Sequence, residues 1–350
     1  MIGRRRLGTV QGAAVTLAHG GGGRAMKDLI DDVFVSAFNN DLLAPLDDSA
    51  RLDLAAFAAS GDRLAFTTDS FVVDPLEFPG GNIGTLAVCG TINDLAVCGA
   101  IPRFLSCAVI IEEGVPLDLL RRIARSMAVA AREAGVHIVT GDTKVVNKRA
   151  CDKLFITTTG IGTISADIRL GIDRVRPGDV VMINGTLGDH GAAILAARGD
   201  LALDTEIASD CAALHDLVGA VLAAAPDTRF IRDATRGGVA TVLNEIAEGA
   251  GLSIEIDEDG IPVHEAVRGL CEILGLDPLY LANEGKFVAI VPGGEAREAL
   301  AAMRAHPLGA GAAVIGRVVS GEPGRVTMHT GFGGSRIVDM LVGEQLPRIC

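Results

Sequence analysis

Glycine-rich turns recur along this chain, each set between a strand-like apolar run and a helix-like amphipathic one, and no other feature narrows the fold as much. His19-Gly20-Gly21-Gly22-Gly23 precedes a helical pattern over 26–38, with Met26, Leu29, Ile30, Val33 and Ala37 on one face. Phe78-Pro79-Gly80-Gly81-Asn82-Ile83-Gly84 opens an expected helix over 82–96. Gly185-Thr186-Leu187-Gly188-Asp189-His190-Gly191 follows an expected strand over 180–184 and opens a helix at Ala192. Asp233-Ala234-Thr235-Arg236-Gly237-Gly238 opens another over 239–248. Strand, glycine turn and helix in alternation predict a mixed α+β architecture, and 350 residues are enough for two domains. A glycine turn ahead of a helix can cradle phosphate with its N–H groups, or can be a plain flexible linker. The tetraglycine run lacks the Lys-Ser/Thr ending of a P-loop, so both readings stand.

Further strands are expected over 15–18, 64–70, 104–111, 136–140, 154–164, 287–291, 313–319 and 326–330. Further helices are expected over 116–134, 210–224, 269–274 and 295–304. The break between domains falls at 168–177, so the first domain is expected over 15–168 and the second over 169–341. Residues 1–14 read as a disordered leader and 342–350 as a flexible tail that ends on Cys350. Arg4-Arg5-Arg6 is not followed by the apolar stretch of a twin-arginine signal.

The polar residues at the ends of these elements carry the chemistry. Asp48, Asp69 and Asp94 sit in a turn, at a strand end and inside an apolar helix, and Asp94 follows Asn93. Taken singly each is a cap or turn residue; together they are the hard oxygen donors that Mg²⁺ and phosphates require. Gly141-Asp142-Thr143-Lys144 ends the 136–140 strand, and Lys144 is either a solvated turn lysine or a charge stabiliser near the reacting group. His190 opens a helix as a cap or as a ligand contact. Glu284, in Asn283-Glu284-Gly285-Lys286, is either a salt-bridge partner or a general base. Cys350 has no chain after it, so its thiol is either an accident of the chain end or the carrier of a covalent group.

Composition removes several classes of function. A net charge of −13 argues against nucleic-acid backbone binding. No run approaches the eighteen apolar residues of a membrane span. The seven cysteines form no CxxC pair, which fits a reducing cytoplasm.

The ordered set resembles the AIR-synthase-like (PurM-like) superfamily of ATP-binding proteins. Within it the chain is similar to the HypE family of hydrogenase maturation. The markers are Leu17-Ala18-His19-Gly20, Thr68-Asp69-Ser70, Asp74-Pro75-Leu76 with the 78–84 turn, 141–146, 188–191, 233–239, 283–286 and the ending Pro347-Arg348-Ile349-Cys350. The likeness runs from about Val15 to Cys350. It implies a first domain whose strands join a second subunit's in a dimeric β-barrel, with ATP near the subunit junction, and a second domain that is an α/β sandwich. It implies ATP-dependent dehydration of a carbamoyl group on Cys350 to a thiocyanate, the source of cyanide for the iron of [NiFe]-hydrogenase. The implied partners are the carbamoyltransferase HypF and a HypC–HypD scaffold. By matched motif Asp48, Asp69, Asp94, Asp142 and Asp233 are assigned to Mg²⁺ and phosphate, and Gly80, Gly81, Asn82, Asn93 and Thr143 to the ATP site. Glu284 is the base, Lys144 the charge stabiliser and His190 a further catalytic candidate. A non-catalytic ATP-binding assembly module, or an enzyme of the superfamily acting on a free small substrate, is the alternative that this tail disfavours.

Overall fold

The computed structural model describes residues 7–199, 207–341, 343, 346 and 348–350. Its first part is a four-stranded sheet in the spatial order Arg63–Phe71, Leu154–Ile164, Ala100–Glu112, His137–Val146. The first three strands pair antiparallel, and His137–Val146 lies parallel to Ala100–Glu112. Alternation decides the two faces, since successive side chains point to opposite sides. Leu105, Cys107, Val109 and Ile111 turn inward onto the helices Ile83–Val97 and Leu117–Glu133. On the other face the helix Leu54–Ala58 covers one corner, with Phe57 against Phe104, and outside that corner Leu64 and Phe66 are 60% and 72% exposed. Ile101 and Ile110 are exposed as well.

The second part is a seven-stranded sheet ordered Ser335–Ile337, Val326–His329, Ser253–Asp257, Ala313–Val319, Val180–Ile183, Phe287–Val291, Phe230–Asp233. Phe287–Val291, flanked by a strand on each side and covered on both faces, is buried along its whole length. One apolar cluster fills the side covered by the helix Gly238–Ala250, and another fills the side covered by His215–Ala224 and Ala296–Ala305. Ala96, from the helix Ile83–Val97, joins the second of these clusters, so the two parts share packing.

Several sequence expectations change. The 15–18 strand is a short 3-10 helix, Leu17–Gly20, because the His19 ring turns back and accepts the Thr16 N–H at 2.9 Å. The helix expected over 26–38 starts at Arg24 and passes through a π-helical stretch, Ile30–Val35. The 210–224 helix begins only at His215. The leader is not loose throughout: Gly8 and Val10 donate their N–H groups to Asp31 and Asp32, and Val10 is buried. Its Arg4-Arg5-Arg6 lies outside the described residues. Strands Phe230–Asp233 and Ser253–Asp257 were not anticipated.

Candidate active site

The chain end does not project into solvent. Ile349 is buried in the first core, and the backbone beside it is held at four points. Val72 N–H donates to the Cys350 carboxylate at 3.1 Å and Asp74 N–H to the Arg348 carbonyl at 3.3 Å. Arg198 bridges the Arg348 and Asp74 carbonyls at 2.9 and 3.0 Å. The His190 ring meets the Ile349 carbonyl through Nε2 at 2.7 Å and Ser209 Oγ through Nδ1 at 2.8 Å. A carbonyl only accepts, so Nε2 carries the proton and Nδ1 accepts from the serine. Burial holds the His190 ring below its usual pKa, which keeps this neutral tautomer. His190 therefore clasps the tail and does not reach the reacting end.

Docking places Cys350 in a cavity of about 270 Å³ between the two sheets. The strand Arg63–Phe71 brings Asp69, the helix Ile83–Val97 brings Asp94, and Phe230–Asp233 brings Asp233 at its last position. Glu284 enters from the turn just before Phe287, whose register partner is Asp233. Burial raises the Asp94 carboxyl above its ordinary value against a hydrogen bond from Thr67 at 3.0 Å. Burial, then the neighbouring Asp94 charge, pushes Asp233 up to about 6. Burial, reinforced by Asp210, Asp233 and Asp69, lifts Glu284 well above the usual carboxylate range. Its side chain is 3% exposed, and Oε1 has no hydrogen-bond partner. Burial and the facing Glu284 also raise the Cys350 thiol, so the docked sulfur is a poor nucleophile.

The remaining predicted ligands go elsewhere. Asp48, Asp142 and Thr143 line a second cavity of about 820 Å³, together with Gly22 and Gly23 of the tetraglycine loop. Topology explains the separation: Asp69 is on one edge strand and Asp142 on the other, three strand spacings away, or ~14 Å. Among the described residues no three Asp, Glu, His or Cys side chains converge to hold an ion, and within one subunit the five aspartates fall into two groups. Lys144 lines neither cavity and forms an exposed ion pair with Asp142 at 2.7 Å. Asn82 is a helix cap, with Oδ1 accepting from Gly84 and Thr85 N–H, and Gly80 and Gly81 form the turn before it. Gly80 packs so tightly on the Ser209 backbone that a Cβ would come within 2.6 Å of it. Asn93 donates to the Ala212 and Glu284 carbonyls at 3.0 and 3.2 Å and accepts from Leu214 N–H, so it ties the two parts together rather than facing a ligand.

Sequence reasoning missed Arg232 and Arg236, both in the cavity that holds Cys350. Arg232 pairs with Glu245 at 2.9 Å. Arg236 has no ion-pair partner among the described residues and lines the adjoining 580 Å³ cavity as well, which Cys350 also reaches. Arg236 lay inside a motif already singled out, whereas the tail-holding Arg198 gave no signal.

Residues 46–164 match the AIR synthase related protein N-terminal domain, and residues 176–329 match its C-terminal domain. The chain is 62% identical over 336 residues to carbamoyl dehydratase HypE of Rhodobacter capsulatus, covering 96% of this chain and 98% of that one. The chain belongs to the HypE family of carbamoyl dehydratases. A crystal structure of hydrogenase maturation protein HypE in complex with ATP superposes with a TM-score of 0.90 at 51% identity, covering 95% of this chain and 99% of that one. HypE from a HypE–HypF complex superposes with a TM-score of 0.77 at 45% identity, covering 91% and 100%. The two-domain α+β expectation and the HypE resemblance both hold. Among the described residues no helix is long and apolar enough to cross a membrane.

Proposed function

We propose that this chain uses ATP to dehydrate a carbamoyl group on Cys350 to a thiocyanate. The observation that carries the reading is the chain end itself, docked with its sulfur facing the buried Glu284. An amide oxygen is a poor leaving group. It attacks the terminal phosphorus of ATP, an O–P bond forms, the bond to ADP breaks, and one N–H proton leaves. Glu284 takes the second N–H proton as the C–O bond breaks, giving S–C≡N and inorganic phosphate. The raised pKa makes Glu284 a stronger base once ionised.

Asp69, Asp94 and Asp233 sit where a cation would offset the burial, and the mutual repulsion that adds to it, which raise Asp94 and Asp233. Mg²⁺ needs only one or two carboxylates and completes its shell with phosphate and water, so these side chains would be enough to hold it. Bound there, Mg²⁺ supplies neutralisation of the transferred phosphoryl charge.

The largely uncovered face with Leu64, Phe66, Ile101 and Ile110 supports a homodimer with a shared barrel. In that assembly the Asp48–Asp142–Thr143 cavity of one subunit supplies nucleotide contacts, and its Lys144 a charge stabiliser, to the Cys350 cavity of the other. The tail receives its carbamoyl group undocked, from a HypF-type carbamoyltransferase, since the docked thiol is not activated. The cyanide then passes to iron on a HypC–HypD-type scaffold in the cytoplasm.

Mass spectrometry of the C-terminal peptide tests the chemistry. With carbamoyl donor and Mg-ATP the peptide passes from unmodified to carbamoylated to carbamoylated less one water. Cys350→Ala stays unmodified but binds ATP. A wild-type tail that never reaches the dehydrated mass overturns the proposal.

A further inference from the structure

We infer that Asp210 is a positioning residue, which holds the Glu284 peptide so that its carboxyl faces Cys350. The inference rests on the reading of Glu284 as the base. Asp210 lies in the irregular stretch before the helix His215–Ala224, and its side chain is 5% exposed. One carboxylate oxygen accepts the Glu284 N–H at 3.0 Å. The other accepts the Gly285 N–H at 3.2 Å and the Lys286 ammonium at 2.8 Å. One short side chain thus grips three consecutive residues of the base-bearing turn.

The rest of the frame shows why an aspartate is needed. The Glu284 carbonyl is taken on the opposite side by the Asn93 amide at 3.2 Å, so both backbone groups of Glu284 are fixed while its side chain stays unpartnered at Oε1. Gly285 approaches the Asp210 carbonyl so closely that a Cβ there would overlap it. Two backbone donors and an ammonium call for two anionic acceptor oxygens at the length of an aspartate, and no neutral side chain of that size offers them. Burial alone would raise the Asp210 carboxyl, but the Lys286 charge and hydrogen bond, together with the Glu284 N–H, outweigh it and hold the group below its usual value, ionised and ready to accept. Lys286 is itself nearly buried, and its next acid, Asp189, is 3.9 Å away. The pair supports the turn, and the turn aims the base.

The test uses the full chain with its tail preloaded by the family's carbamoyltransferase and with Mg-ATP, in single turnover read on the C-terminal peptide. Asp210→Ala should slow dehydration about 100-fold through misplacement of the base. Asp210→Asn, which keeps one acceptor, should slow it about 10-fold. ATP affinity and carbamoyl loading should stay within about twofold of wild type, a split between chemistry and binding that a general loss of fold would not give. If Asp210→Ala does not fold because Lys286 loses its counter-charge, the pair Asp210→Asn with Lys286→Met removes both charges at similar volume, and its dehydration should be slowed as in Asp210→Asn alone. A folded Asp210 variant that dehydrates at the wild-type rate overturns the inference, as does loss of ATP binding, loading and dehydration in equal measure. Glu284→Gln run alongside separates the two ideas: if it still dehydrates, the base reading has failed; if it stalls while Asp210→Ala does not, only the positioning role has failed.

Discussion

The two cavities hold the same residue type under opposite electrostatics. In the Cys350 cavity burial dominates, and Asp94, Asp233 and Glu284 are all raised. In the cavity beneath the N-terminal segment a salt bridge dominates, and the Lys144 ammonium holds Asp142 below its usual value. A carboxylate already neutralised by lysine has little need of a cation. Crowded, half-buried acids do need one, or a proton. On the proposed reading the first cavity serves a change of charge during reaction, and the second steady binding.

The largest effect that separates them should come from Glu284. Glu284→Gln keeps the shape of the turn but removes the base, so dehydration should fall by ~10²–10⁴ while ATP still binds. Asp142→Asn should instead weaken ATP binding and leave tail loading unchanged. A Glu284→Gln protein whose only defect is a weaker ATP affinity would erase the distinction. Peptide mass shifts and ATP titration read the two outcomes.

If the cavities meet across a dimer, the two defects should complement each other. Random reassortment of Glu284→Gln and Asp142→Asn subunits makes half of the dimers mixed, each with one intact composite site. Activity should then recover to roughly a quarter of wild type. No recovery in mixtures that light scattering shows to be dimers would place both cavities' work within one subunit.

The pH dependence follows from the same contrast. If Glu284 is the base it must be ionised, so the dehydration rate should fall as pH falls, with its midpoint above the ordinary Glu value of 4.5. If the other cavity holds ATP, binding there should persist to lower pH, because the Lys144 ammonium keeps Asp142 below its usual value. The linkage runs the other way for stability. Raised acids favour the folded state fully below their unfolded values, and for Asp233 that contribution is lost as pH rises from 3.8 through about 6. A rate that falls with the ordinary carboxylate midpoint would remove Glu284 from the chemistry.

Much of this was legible in residues, less of it in position. Glu284, Asp69, Asp94 and Asp233 stood out as charged groups in a glycine turn, at a strand end or within an apolar helix, and Cys350 as a thiol on the last residue, and the structure brings them to one cavity. Spacing along the chain could not reveal that Asp142 would lie on the far edge of the same sheet. Asn93 and Asn82 look alike in sequence whether they serve a ligand or an orphaned backbone group, since either task needs an amide among apolar neighbours. Asp210 was hidden inside a stretch with helical pattern. Its recruitment to the Glu284 turn depends on contacts 74 and 75 residues away, which no local period records.

The smallest effect tests whether the 80–82 turn belongs to either cavity. Asn82 Oδ1 accepts two N–H groups at the start of the helix Ile83–Val97, and its Nδ2 donates to Ser126 at 2.7 Å. That helix carries both Asp94 and Asn93, so its first turn was a reasonable place to expect a phosphate. A phosphate there would need the N–H groups that the Asn82 side chain already holds. Asn82→Ala should therefore cost about 1 kcal/mol as a lost cap. In a chain of this size that lowers Tm by ~2 °C. The KM for ATP and the dehydration rate should stay at wild-type values. A raised KM without a change in Tm would return the turn to the nucleotide site. In that case the helix start would connect the two cavities, and their separation would no longer rest on the sheet edges alone.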